Sequence, residues 1–190
     1  MFDVLDEMVR AGRLSAYGVS VETCAQALAA IARPHVASDC LRLKPLDEVL
    51  PAAQDAGVGI IARVPLASGL LSGRYDEHTT FGPDDHRNYN RHGQAFDVGE
   101  TFAGVPYEVG LTAARELGAL LDPGVSLAQF ALRWAIDQPG VSTVIPGARN
   151  ADQARANAAT AELPPLRDDQ LAGVRDVYDR LVRRHVHDRW

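Results

Sequence analysis

Strand-like and helix-like segments alternate along this chain, and that order limits the folds open to it. Residues 14–19, 34–43, 58–64 and 141–145 are expected to form strands, although a polar Ser38-Asp39 pair interrupts the second. Each is followed by a segment with helical periodicity, which is typical of parallel sheets covered by helices. The nearly continuous apolar run at 58–64 predicts a strand buried on both faces.

The helical segments carry recognisable start and stop signals. Gly12 ends the first helix, Ser20 is a candidate cap for the second, and Pro45 suits a first helical position with Gly57 as the stop. Leu127, Phe130, Ala131 and Trp134 make one stripe and are expected to be buried. Helices are therefore expected at 2–11, 20–31, 45–56, 107–121, 126–137, 151–159 and 168–184.

Four parallel strands with right-handed crossovers amount to half of a (β/α)₈ barrel, which takes eight strands and about 250 residues. We therefore expect residues 1–190 to form a single incomplete α/β domain, a half TIM-type barrel. Residues 65–106 are expected to be a long irregular loop on the cofactor or substrate side, because typical connections have only about 4–6 residues.

Charge and composition narrow the classes of partner. The chain has 19 Lys and Arg against 25 Asp and Glu, a net charge of −6, and no basic block, so nucleic-acid binding is not expected. It has no apolar run of the ~20 residues that a membrane span requires, and no leader at Met1, so a soluble, cytoplasmic protein is expected. Cys24 and Cys40 are expected to be buried, with no metal or disulfide role.

One candidate site follows the strand at 141–145. There the chain enters a Pro-Gly turn at Gly147 and then a helix, whose free backbone N–H groups favour an anion. Arg149, Gln153 and Asn157 step by four residues and share one helix face, which suits a phosphate and a nitrogenous base. The alternative is that Pro-Gly only turns the chain and Arg149 is a solvated charge.

A second candidate site follows the strand at 58–64. Loops at the carboxyl ends of strands build the active face of α/β barrels. Arg74 can meet a phosphate, and the planar guanidinium of Arg63 can stack on a ring; alternatively, Gly69 and Gly73 only bend the chain. Asp84, Asp85, His86 and His92 resemble metal ligands by type but lack ligand spacing, so a solvated loop is the preferred interpretation.

Three ordered segments resemble the aldo-keto reductases, and the likeness covers nearly the whole chain. They are residues 10–20 (RAGRLSAYGVS), residues 46–50 (LDEVL) with 57–75 (GVGIIARVPLASGLLSGRY), and residues 145–148 (IPGA) with Gln153 and Asn157. The resemblance is greatest to the bacterial branch that is similar to the potassium-channel β-subunit group. It implies a (β/α)₈ barrel that binds NADP(H) and passes hydride from the nicotinamide to a small-molecule carbonyl.

The resemblance also implies a role for each matched position. Ser20 and Arg63 would lie at the nicotinamide, Arg63 where the family usually has a ring-stacking aromatic. Arg149 would meet the 2′-phosphate, which favours NADP, while Gln153 and Asn157 would contact the adenine. The remaining cofactor-binding positions are Pro65, Leu66 and Ala67 along the pyrophosphate, Arg74 at a phosphate, and Gly147 in the turn.

The departures from the family pattern bear on activity. The match begins inside the family's fourth barrel helix, so no residue is assigned to its catalytic Asp, Tyr, Lys and His, and Ala37 to Cys40 replace a usual Gln and Asn. The chain alone is therefore expected to reduce carbonyls poorly. We expect it to pair with itself or with a complementary N-terminal half. The alternatives are a non-catalytic nucleotide-binding or scaffold protein, or a truncated gene product without activity.

Overall fold

The computed structural model describes residues 2–21, 23–31 and 43–189 and shows a mostly helical α/β arrangement. Its strands are β1 (Ile60–Ala62) and β2 (Val141–Val144). Short 3₁₀ helices occupy several turns between the longer elements. The α-helices are α1 (Phe2–Arg10), α2 (Cys24–Ile31), α3 (Lys44–Asp55), α4 (His86–Tyr89), α5 (Tyr107–Gly118), α6 (Leu127–Ile136), α7 (Ala151–Ala159), α8 (Asp168–Val177) and α9 (Arg183–Val186).

β1 and β2 are adjacent and parallel, as expected for this chain. Ile60 pairs with Val141 and Ala62 pairs with Val144, with an irregularity in register after Ile60. The ladder continues past β2, since the amide of Ile145 donates to the carbonyl of Ala62 at 3.0 Å. Both strands therefore end at the same edge of the sheet.

The expected first strand, residues 14–19, is irregular in the structure, so that prediction is wrong. The amide of Leu14 donates to the carbonyl of Met8 at 3.2 Å, and the Tyr17 hydroxyl donates to Asp6 at 2.5 Å. These bonds hold the segment against α1 instead of in a sheet. Residues 34–42 of the second expected strand lie outside the described residues. The part of the chain that the structure describes thus has a two-stranded sheet in place of the expected four.

The start of α2 differs from the prediction because a closer side chain caps it. The Thr23 hydroxyl accepts the amide of Gln26 at 3.1 Å, and the Gln26 side chain accepts the amide of Thr23 at 3.2 Å. This reciprocal pair is a capping box. Ser20 is therefore not the cap, and it is exposed in the coil before α2.

The strand expected at 58–64 is shorter and less buried than predicted. β1 has only three residues, and the Ile61 side chain between buried Ile60 and Ala62 is 40% exposed. With β2 as its hydrogen-bonded partner, β1 has the alternating pattern of a strand covered on one face, not on both.

The core forms where α3, α5, α6, α8 and the start of the long loop meet. All four stripe residues of α6 are buried, as predicted, and Ser126 caps that helix with Gln129. Cys24 is buried as expected, while Cys40 lies outside the described residues. The final helix is not uniform, because a π-helical turn, Tyr178–Val182, separates α8 from α9. Over the described ranges, no helix combines the length and apolar character that a membrane crossing needs.

Candidate functional site

The two candidate loops leave the sheet side by side. The first, residues 63–74, follows β1, and the second, residues 145–157, follows β2. Because β1 and β2 are parallel, both loops start at the carboxyl edge of the sheet. In α/β sheets, ligands bind outside the carboxyl ends of the strands. Both candidate loops therefore begin at the edge where ligands bind in sheets of this kind.

The loop after β2 brings four predicted residues into one hydrogen-bonded cluster. The Gln153 side-chain oxygen accepts the amide of Arg149 at 2.8 Å, and the Asn157 side-chain nitrogen donates to the carbonyl of Gly147 at 3.3 Å. Asn150, which was not singled out, caps α7 by accepting the amide of Gln153 at 2.9 Å. Its signal in the sequence is an Asn followed three residues later by Gln.

These bonds correct the expected source of anion affinity. The backbone N–H groups of Arg149 and Gln153 already have side-chain acceptors, so they are not free for a ligand. An anion there would instead meet the exposed Arg149 guanidinium, the positive end of the α7 dipole and the other N–H groups of the first turn. Gln153 uses its amide oxygen and Asn157 its amide nitrogen in these bonds, so the other side-chain atoms of the two residues are one donor and one acceptor.

An open groove runs between β2 and α7. It has a volume of about 480 Å³, and no residue of α7 is fully buried. Asn157 is one of its few polar lining residues, so the adenine contacts proposed for that residue lie beside an apolar surface. The lining is made of Ile136, Val141, Ser142, Thr143, Val144, Pro146, Ala148, Ala154, Asn157, Ala158 and Ala161.

The loop after β1 has an unusual backbone. Val64, Ala67 and Ser68 have φ angles of 51°, 46° and 56°, in the left-handed region that residues other than glycine rarely adopt. Such conformations cost about 1–3 kcal/mol each and concentrate at functional sites. Pro65 and Ala67 are buried, Leu66 is partly buried and Arg74 is exposed.

Arg63 has an acidic partner that sequence reasoning missed. Its guanidinium forms an ion pair with Glu100, and the two side chains are 23% and 28% exposed. The Ser68 hydroxyl donates to the carbonyl of Glu100 and accepts the amide of Phe102, both at 3.2 Å. These bonds join the end of β1 to a segment more than 30 residues further along the chain. No motif in the sequence marks Glu100 as a member of the site.

The segment 65–106 is ordered by its own side chains, although its regular structure is limited to short helices. Asn90 is fully buried, accepts the amides of Ala95 and Phe96 at 2.9 Å, and donates to the Thr101 hydroxyl at 3.1 Å. The Arg91 guanidinium lies 4.8 Å from the centre of the Tyr107 ring. The segment is irregular apart from these short helices, and it has a buried polar centre at Asn90.

Among the residues that resemble metal ligands by type, Asp85 makes bonds within the loop itself. Asp85 caps α4 and forms an ion pair with Arg87. Hydrogen bonding to Arg87 lowers the pKa of Asp85 to about 2, against the opposing effect of burial. No cluster of potential metal ligands occurs among residues 2–21, 23–31 and 43–189.

Two predicted site residues stand apart from these clusters. Ser20 is exposed, and so is Arg74, whose backbone amide donates to the Ser72 hydroxyl at 3.3 Å. Across the described part of the chain, no side-chain bond joins either of them to Arg63 or Arg149. The structure thus brings together the residues after β2, but it adds Glu100 and Ser68 to the group around Arg63.

Comparison with known proteins identifies the protein family to which this chain belongs. The model of the Aldo/keto reductase family matches residues 1–179, so the chain belongs to this family of oxidoreductases. Aldo-keto reductase YhdN from Bacillus subtilis is 31% identical over 161 residues, covering 81% of this chain and 46% of that protein. A probable voltage-gated potassium channel subunit beta from Arabidopsis thaliana is 32% identical over 124 residues, covering 63% of this chain and 34% of that protein.

Solved structures agree with this assignment. Glycerol dehydrogenase AKR11B4 from Gluconobacter oxydans superposes with a TM-score of 0.70 and 25% identity, covering 95% of this chain and 52% of that chain. The holo form of aldo-keto reductase AKR11C1 from Bacillus halodurans superposes with a TM-score of 0.67, covering 92% and 54%; at 22% identity it supports the fold alone. This chain spans at most about half the length of these relatives.

Proposed function

We propose that this chain binds NADP(H) at the carboxyl edge of its sheet and is the cofactor-binding part of an aldo-keto reductase that acts on carbonyl or alcohol substrates. The observation that carries the proposal is that two loops leave the same sheet edge, one with the Gly147–Asn157 and Arg149–Gln153 bonds and one with Arg63. Aldo-keto reductases as a family use nicotinamide cofactors, which is consistent with this location.

The residues after β2 fit the adenosine end of the cofactor. Arg149 is exposed at the start of α7 and would bind the 2′-phosphate as a charge-assisted donor. The amide nitrogen of Gln153 would donate to a ring nitrogen of adenine, and the amide oxygen of Asn157 would accept from its amino group. Recognition of the 2′-phosphate by Arg149 is the basis for proposing NADP instead of NAD.

The residues after β1 would hold the rest of the cofactor. Pro65, Leu66 and Ala67 would line the pyrophosphate, and Arg74 would approach a phosphate. Ser20 and Arg63 would lie near the nicotinamide. The bound cofactor supplies the hydride, and this chain contributes binding and orientation.

The proton donor for carbonyl reduction is proposed to lie on polypeptide beyond these 190 residues. A positioned general acid contributes about 10²–10⁴ in rate, so this chain alone should turn over aldehydes slowly or not at all. Within the described ranges the sheet has two strands, whereas the barrel proposed for the complete enzyme needs further parallel strands beside them. We propose that a complementary N-terminal half, or a second copy of this chain, provides those strands.

A second candidate function is nucleotide binding without catalysis, in a scaffold or subunit role. It is favoured by two plant relatives named as probable voltage-gated potassium channel subunits beta, 32% and 36% identical to this chain over 124 and 130 residues. Both candidates predict cofactor binding by this chain. They differ in whether addition of the N-terminal half produces NADPH oxidation that depends on aldehyde.

The test is a titration of the purified chain with NADPH, NADH and adenosine 2′,5′-bisphosphate. Arg149→Ala should weaken NADPH binding by about tenfold, equivalent to about 1.4 kcal/mol, and leave NADH binding unchanged. Arg155→Ala is the matched control, because Arg155 is a nearby exposed arginine on α7, 75% exposed and in an ion pair with Asp152. Equal effects of Arg149→Ala on NADPH and NADH would contradict the role given to Arg149.

A further inference from the structure

We propose, building on the nicotinamide contact assigned to Arg63 above, that Glu100 balances the charge of Arg63 and thereby lets the site accept the oxidised as well as the reduced cofactor. The observation behind this is the ion pair between the two side chains at the carboxyl end of β1. Glu100 would be a positioning and charge-setting residue, acting on the cofactor through Arg63.

The pair is built into the loop. Both side chains are more than two-thirds buried, so water screens their attraction less than it would at the surface. Ser68 fixes the backbone directly after Glu100 by donating to the Glu100 carbonyl and accepting the Phe102 amide, each at 3.2 Å. The position of the carboxylate is therefore set by the fold and does not depend on a flexible side chain alone.

Backbone strain marks the same place. The left-handed residues Ala67 and Ser68 on one side face Phe102 and Ala103 on the other, which have φ angles of 52° and 56°. Both pairs lie next to the Ser68 hydroxyl bonds. Strained conformations persist only where the surroundings enforce them, and they are enriched at binding sites. Strained backbone thus occurs in both segments that carry the ion pair, which indicates that the surrounding structure enforces their arrangement.

The charges give the pair a chemical consequence. An oxidised nicotinamide ring is cationic and a reduced ring is neutral. A lone guanidinium beside the ring would repel the oxidised form, whereas a guanidinium with a carboxylate partner presents a planar surface with little net charge. Loss of the carboxylate charge should therefore penalise NADP⁺ and spare NADPH.

The experiment measures dissociation constants for NADP⁺, NADPH and adenosine 2′,5′-bisphosphate with the 190-residue chain. Glu100→Gln keeps the side-chain shape and removes the charge. It should raise the ratio of the NADP⁺ to the NADPH dissociation constant by roughly fivefold to tenfold, the effect of one unit charge at a partly screened distance. Binding of adenosine 2′,5′-bisphosphate should not change, because it occupies only the end near Arg149.

Two variants control for structural effects. Glu77→Gln removes the charge of another ion pair in the same loop, with Arg115, where both side chains are 57% exposed; the ratio should stay at its original value. The double variant Arg63→Gln with Glu100→Gln should return the ratio toward that value, because neither charge remains. A loop that was only destabilised would not recover in this way.

The outcomes separate this inference from the proposed function. If Glu100→Gln weakens NADP⁺ and NADPH equally, or leaves both unchanged, the charge-balancing role is wrong while cofactor binding stands. If NADPH binds no tighter than adenosine 2′,5′-bisphosphate, the nicotinamide does not contact Arg63 and the inference is overturned. If adenosine 2′,5′-bisphosphate itself does not bind, the proposed function fails and the inference fails with it.

Discussion

Replacing Asn90 with Ala should destabilise the long loop between β1 and α5. Asn90 is fully buried, and its side chain accepts the amides of Ala95 and Phe96 at 2.9 Å and donates to the Thr101 hydroxyl at 3.1 Å. The variant leaves the backbone amides of Ala95 and Phe96 and the buried Thr101 hydroxyl without these bonds. Each net bond is worth about 0.5–1.5 kcal/mol, so the summed loss is about 2–4 kcal/mol. For a chain of this size, 1 kcal/mol corresponds to about 2–4 °C in Tm.

The assay is urea unfolding at fixed pH, with hydrogen exchange to locate the change. Asn88→Ala is the matched control, because Asn88 is an exposed asparagine two residues earlier, on α4, whose side chain donates to the Gly82 carbonyl at 3.3 Å. Asn90→Ala should lower the unfolding free energy by more than 1.5 kcal/mol, and exchange should rise first between residues 85 and 104. A loss below about 0.5 kcal/mol, the scale of an ordinary surface change, would refute the idea that Asn90 organises this loop.

Three further outcomes concern pH and packing. Arg87 lowers the pKa of Asp85 to about 2, so the stability that the ionised Asp85 contributes should be present above pH 4 and disappear as pH falls through about 2. In thermal melts, Asp85→Asn should abolish this acid dependence of Tm. Burial raises the pKa of Tyr178 to about 12, so the stability that this tyrosine contributes is present below pH 10 and lost as pH rises through about 12. Absorbance at 295 nm should show a tyrosine that ionises at this high pH, and Tyr178→Phe should remove that late ionisation step. Gly140 has a φ of 91°, and a Cβ there would lie 3.2 Å from a backbone oxygen of α3, so Gly140→Ala should lower the free energy of unfolding by about 1–3 kcal/mol. Gly118 has open space around it, so Gly118→Ala should cause no loss in the same urea unfolding measurement. Equal losses in the two variants would contradict this account.

Much of the helical framework could be predicted from the sequence, because its signals are local. Pro45 at the start of α3 and the apolar stripe of α6 depend only on neighbours a few residues away. The prediction of a strand at 14–19 was wrong because strand formation depends on distant residues. A strand requires a partner from elsewhere in the chain, and the bond from Leu14 to Met8 ties this segment to the preceding helix.

In the candidate site, too, contacts between residues close in sequence could be predicted and contacts between distant residues could not. Gln153 and Asn157 lie one turn apart on α7, as their spacing predicts. Arg149 precedes the helix, so the prediction that it shares their helix face is wrong; its backbone amide instead bonds to the Gln153 side chain. The partnership of Arg63 with Glu100 joins residues 37 positions apart, and no periodicity points to it. The expectation of free N–H groups at the start of α7 does not hold for Arg149 and Gln153, whose amides bond to the side chains of Gln153 and Asn150.

Equilibrium binding of NADPH to the unmodified chain tests the central claim most directly. The account predicts saturable binding at one site, displaced by adenosine 2′,5′-bisphosphate and about tenfold stronger than binding of NADH, the effect expected of one charge-assisted contact to the 2′-phosphate. Absence of saturable binding, or binding that ignores both the 2′-phosphate and the competitor, would contradict a nucleotide site at the edge where β1 and β2 end.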